Sequence, residues 1–186
     1  MWTIRGREDL NVFLDQRALV SLFVDHAYVK DSIELFMGMK PGFDAHVGEA
    51  WHMLMPYVGG GYAVDQPLGV NSFGTDLARA IIREHGLKHA ELPALIFEFV
   101  PDREYYCVKF GGMEKDRIIK IVGSISDIAT EVFETGPDEV EPFRVEVHRR
   151  VVNYLRKEAA LTILSKAAPK IGGLLGAAAS VDGLIS

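Results

Sequence analysis

The residues of this chain whose types could do chemistry are six histidines, a single cysteine, a run of three glycines and scattered serines. His85 and His89 are four apart, but Gly86 lies between them where a helix would be ending, so they need not share a face. His46 and His52 are six apart, which is not a ligand spacing on a helix. With no second cysteine and no clear histidine-carboxylate set, no metal site is expected, and the histidines read as solvated or capping residues. Cys107 stands mid-strand in "YYCVK" and reads as a small buried apolar residue; a reactive thiol needs an exposed electropositive setting, which Lys109 alone does not establish. The stretch "VGGGYAVDQPLG" lacks the Gly-Lys-Ser/Thr ending of a phosphate loop and reads as a hinge or linker around Gly59, Gly60 and Gly61. No Gly-x-Ser-x-Gly elbow occurs, no residue set carries an enzymatic assignment, and no cofactor is expected.

The elements that must position these residues follow from periodicity. "ALVSLFVD" (18–25) is a short apolar run rich in β-favouring side chains, a buried strand. "DSIELFMGM" (31–39) begins with an acid and a serine, as a helix start should, and is expected to stop at Pro41-Gly42. A second helix is expected over "DAHVGEAWHMLM" (44–55), ending at Pro56; within it Met53, Met55 and Trp51, with Met37 and Met39, form a soft apolar cluster, read first as core and alternatively as a surface that grips a partner. A short strand is expected in 61–70 and a helix in 71–87, where Leu77, Ile81 and Ile82 have helical spacing. Residues 91–112 read as two antiparallel strands turned at Pro101-Asp102 and left through Gly111-Gly112. Ile118, Ile121, Val122, Ile125, Ile128 and Val132 then mark an amphipathic helix over 115–134. "TGPDEVEP" (135–142) is a polar linker and the candidate domain boundary, giving 1–141 and 142–186.

This order, with Pro93 at the head of "LPALIFEF", resembles the thioredoxin-like fold over roughly residues 15 to 134. The resemblance implies an α/β fold, a central mixed sheet flanked by helices. It also implies a cysteine pair at the start of the helix after the first main strand, where a helix N-terminus favours a thiolate. Those places fall near Ala27 and Lys30, and neither is cysteine or serine, so dithiol exchange is excluded. In that family the backbone before the proline pairs with an extended peptide or glutathione. The resemblance therefore assigns a partner-binding groove to Leu92 and Pro93, with Ala27, Tyr28 and Lys30 on the opposite wall.

Charge divides the chain unevenly. Residues 1–141 hold 13 Lys/Arg against 23 Asp/Glu, a balance of −10, whereas 142–186 hold 7 against 3, a balance of +4. "PFRVEVHRRVVNYLRKEAALTILSKAA" (142–168) reads as the longest helical stretch, with Phe143, Val147, Val151, Tyr154, Leu155 and Ala159 on one arc and Arg149, Arg150, Arg156 and Lys157 on the other. An apolar Gly/Ala-rich ending with Ile171, Leu174 and Leu175 follows Pro169, too short and interrupted for an ordinary membrane span. Three roles stay open for this ending: a helix folded over the acidic body, a membrane-surface anchor, or an oligomerisation or partner-docking helix. Nucleic acid is not expected as a partner, because the acidic body would repel phosphate. A lone cysteine and no secretory leader in the first residues point to the reducing cytoplasm, with peripheral placement at the inner membrane face if the tail meets lipid. The functional expectation is a redox-inactive binding or adaptor protein; the alternative is a membrane-associating effector whose tail engages lipid when released.

Overall fold

Two facing sets of side chains alternate along the central strands and decide the architecture. The computed structural model describes residues 1–28, 30–58, 69–99 and 104–164. Strand β2 (Leu19–Val24) is buried at all six positions. Leu19 and Phe23 enter one apolar cluster, while Val20, Leu22 and Val24 enter another, as the period of two requires. Strand β4 (Ala94–Phe99) repeats the pattern, with Leu95 and Phe97 on the first face and Ala94 and Ile96 on the second.

The chain is a mixed α/β fold whose described residues form a six-stranded sheet and five helices. The other strands are β1 (Trp2–Ile4), β3 (Trp51–Pro56), β5 (Glu104–Lys109) and β6 (Leu161–Leu164), in the spatial order β1-β3-β2-β4-β5-β6. β1, β3 and β2 run parallel, and β4, β5 and β6 add antiparallel pairs. Helices α2 (Asp31–Val47), α4 (Lys115–Thr135) and α5 (Val140–Lys157) cover the first face through Phe36, Phe43, Ile121, Ile125, Phe143 and Val151. Helices α1 (Leu10–Leu14) and α3 (Thr75–Glu84) cover the second through Leu10, Phe13, Ile81 and Ile82.

Three expectations change. Helix α2 passes through Pro41 and ends only at Gly48, whose φ of 51° is left-handed. Proline removes one helical hydrogen bond, yet Phe43 and Val47 beyond it are both core residues, so burial of that turn holds the helix together. The helix expected over 44–55 is instead the end of α2 followed by β3. All six residues of "WHMLMP" are buried, and a segment apolar all round fits a central strand covered on both faces. Trp51, Met53 and Met55 are core, with Met37 and Met39 packed against them, as expected. The polar N-terminal stretch contributes β1 and α1. Finally, the helix expected over 142–168 stops at Lys157 and is shorter than α4; Ala159 turns the chain at a φ of 53°, and β6 pairs with β5. The strand expected at 61–70 falls almost wholly on 59–68, outside the described residues, as do Gly59, Gly60 and Gly61.

The segment 135–142 is a tight bend that the body holds. Arg17 donates from Nε to the Pro137 carbonyl at 2.8 Å and from Nη2 to the Phe133 carbonyl at 2.9 Å, its guanidinium lying over the rings of Phe133 and Phe143. The buried Arg144 donates to the carbonyls of Phe13 and Gln16 at 3.0 and 3.2 Å, joining α5 to α1 and the chain just after it.

Candidate functional site

The parallel strand β2 delivers the chain to the mouth of the sheet, and β4 starts beside it, since Val24 is registered with Ala94. Ligands of open α/β sheets gather at such strand ends. Here Asp25, itself buried, organises the exit from β2: its Oδ1 accepts the Ala27 N–H at 3.2 Å, and its Oδ2 accepts the Ser32 hydroxyl at the start of α2. Ala27 adopts a φ of 59°, a left-handed conformation that costs a non-glycine residue roughly 1–2 kcal/mol. The turn so formed directs His26 and Tyr28 outward.

Across the mouth, a 3-10 turn (His89–Glu91) carries a second imidazole. The ring centres of His26 and His89 are 5.0 Å apart. Tyr28 stacks on His26 at 5.2 Å with an interplanar angle of 22°, and meets His89 at 5.5 Å. The Arg79 guanidinium, from α3, lies 5.6 Å from the Tyr28 ring centre. Lys30 donates from Nζ to Asn71 Oδ1 at 2.8 Å, linking the head of α2 to the segment before α3. Tyr28 is 68% exposed, so the cluster opens to solvent. Burial lowers the pKa of His26 below the usual histidine value, and the nearby His89 adds to the effect.

The turn bearing His89 is anchored from behind. Glu91 accepts the Lys109 ammonium at 2.7 Å and the Lys88 N–H at 2.7 Å, bonds that hold its carboxyl below the ordinary range. The Phe110 N–H donates to the Pro93 carbonyl at 2.8 Å, and the Gly111 N–H to the Glu91 carbonyl at 3.3 Å. Gly111 is required by space: a Cβ there would stand 1.9 Å from the Ala90 carbonyl oxygen. The Leu92–Pro93 peptide is cis, and the Leu92 N–H already donates to His89 within its own turn at 3.2 Å. That amide cannot pair with an extended ligand unless the turn opens.

The expected groove residues Ala27, Tyr28, Lys30, Leu92 and Pro93 thus gather at one mouth. Sequence reasoning missed His26, Asp25, Arg79 and His89, which the fold adds there. The available signal was the run of polar and aromatic residues, "DHAY", directly after a fully buried strand.

The remaining histidines correct the expectation of solvated or capping roles. His52, His85 and His148 are buried. His52 Nδ1 accepts the Trp2 indole N–H at 3.0 Å, His148 Nδ1 and the Tyr106 hydroxyl are 2.8 Å apart, and His85 packs edge-on against Tyr105. Only His46, paired with Asp127 at 2.8 Å, and the mouth histidines keep solvent contact. Cys107 is fully buried beside Thr162, and burial pushes its thiol up to about 12.

On α5 the arc of Phe143, Val147, Val151 and Leu155 faces the core without solvent contact. Of the basic arc, Arg149 and Arg150 are bonded to Glu146, and Arg150 also to Glu131, whereas Arg156 and Lys157 are exposed. Ile171, Leu174 and Leu175 lie outside the described residues. Among the described residues, no helix is long and apolar enough to cross a membrane, and no group of three His, Cys, Asp or Glu could hold a metal ion. An open depression of about 630 Å³ at the bend between α4 and α5 is lined by Pro137, Val145, Glu146 and Arg150, but these last two are bonded to each other.

Comparison with known families, with curated proteins and with solved structures gives no match to this chain.

Proposed function

We propose that this protein is a thioredoxin-like binding or adaptor protein without thiol chemistry, which holds a protein partner at the mouth formed by Tyr28, His26, His89 and Arg79. The succession β2-α2-β3-α3-β4-β5-α4 supports the thioredoxin-like reading, with β3 in the place first expected at 61–70 and Pro93 at the head of β4. One observation carries the functional reading. Where that family places its cysteine pair, this chain has Ala27 and Lys30 beside a solvent-facing aromatic and cationic cluster, while its single thiol is sealed inside the sheet. Tyr and Arg on a rigid frame are the residue types that dominate protein-protein contacts. The N–H of Leu92, already bonded to the His89 carbonyl, moves the weight of recognition from main-chain pairing to these side chains.

The membrane-associating alternative draws on Ile171, Leu174 and Leu175, and the apolar arc of α5 that it would use is occupied by the protein's own core. The mouth is therefore favoured. A random peptide library panned against the full chain should return ligands whose affinity falls roughly tenfold in both Tyr28→Ala and Arg79→Ala, with Cys107→Ser unchanged. Ligands that bind both mouth variants as tightly as the parent would defeat the reading.

A further inference from the structure

We propose that His26 and His89 together hold one divalent late transition-metal ion, with zinc as the reference case, across the mouth of the sheet. Two imidazoles bound to one tetrahedral ion at about 2.0–2.1 Å place their ring centres roughly 5 Å apart. The observed separation is 5.0 Å.

Each ring is carried by a braced turn on its own side of the mouth, so the two imidazoles are neighbours before any ion arrives. His26 sits on the turn set by Asp25 and the left-handed Ala27; His89 sits on the 3-10 turn braced by Glu91 and pressed by Gly111. His26 Nδ1 is enclosed without a hydrogen-bond partner, so Nε2 is the ring nitrogen assigned to the ion. His89 is solvent-exposed and can turn its ring to complete the pair. The carboxylate of Asp25 supplies negative charge beside His26, against the opposing cation Arg79. Imidazole donors select zinc, nickel and copper over magnesium and calcium, which prefer oxygen.

With two protein ligands, the ion keeps open positions for water or for a donor from a bound partner. Binding is accordingly weaker than at three- or four-ligand sites. The inference does not depend on the thioredoxin-like reading or on the partner proposed above.

Titration of the full chain with zinc chloride by isothermal calorimetry tests it. The parent should take up one ion per chain, and both His26→Ala and His89→Ala should weaken binding by at least about tenfold, with His46→Ala equal to the parent. Magnesium chloride should give no heat above dilution. His89 is exposed, so its variant decides the matter even if His26→Ala melts early. Absence of zinc binding by the parent, or parent-like affinity in His89→Ala, overturns the proposal.

Discussion

At the mouth of the sheet His26 and His89 face each other within reach of solvent, whereas inside the layers His52, His85 and His148 are 3%, 8% and 2% exposed. The chemistry of the side chain is the same in both regions, and its surroundings give it opposite work. Inside, the neutral ring serves as a shaped hydrogen-bonding or aromatic core residue, packed on Trp2, Tyr105 or Tyr106. At the mouth the rings are held by turns whose own bonds leave the imidazoles open to a ligand. Burial is what separates a structural histidine from an available one.

Acid should break the interior first. Burial is the main cause that lowers His52 and His85 to about 4 and His148 to about 3, with Arg144 reinforcing it at His52 and His148 and Arg7 at His85. Because each folded value lies below the unfolded value of 6.5, the unfolded chain binds more protons in between. The stability these residues contribute is whole above about 6.5 and is lost as pH falls toward about 4 for His52 and His85 and about 3 for His148. By that linkage each contributes on the order of a few kcal/mol, His148 the most, a sizeable share of the total stability of a small domain. Urea midpoints should fall steeply between pH 7 and pH 4.5, before carboxylates with lowered values such as Glu91 begin to protonate. Equal midpoints at those two pH values would show that the interior histidines are not sealed.

Gly111→Ala should break the mouth and spare the interior. Its Cβ would meet the Ala90 backbone, so the turn carrying His89 must shift, at a cost of about 1–3 kcal/mol. The ring contacts of Tyr28 and His26 with His89 should disappear from nuclear Overhauser spectra, while those between Tyr106 and His148 persist. Loss of both sets would mean that the two regions are not separable.

The smallest effect sharpens the comparison at a single proton. In His89→Ala, removal of a neighbouring like charge should raise the His26 pKa slightly, by less than burial lowers it, and leave His148 where it is. A proton NMR titration of the two imidazoles reads this directly; a fall in the His26 value would show that His89 acts on it as a hydrogen-bond partner instead.

Much of the frame was legible because its signals are local. The run "LVSLFV", the alternation around Leu95 and Phe97, and the spacing from Ile118 to Val132 each state an element within a few residues, and β2, β4, β5 and α4 stand where they were expected. Half of the mouth was legible too, since Ala27, Tyr28, Lys30, Leu92 and Pro93 were placed together by resemblance. His26 and His89 were not paired in advance: they are 63 positions apart, and a search for ligand spacing along one helix looks past such a pair. His85, the neighbour that spacing did suggest, turns inward to Tyr105 instead.

The order of residues by itself determined which segments have one apolar face, where the helices of the second half begin, and that the only thiol lies mid-strand. Tertiary structure decided that "WHMLMP" is a strand, that α2 runs on past Pro41, that Leu161–Leu164 closes the sheet against β5, and which imidazoles meet. The physical reason is common to these cases. Local propensities differ by a kcal/mol or so per residue, whereas burial of a whole apolar face against a distant partner contributes several times as much, and that partner is nowhere visible in the neighbouring residues.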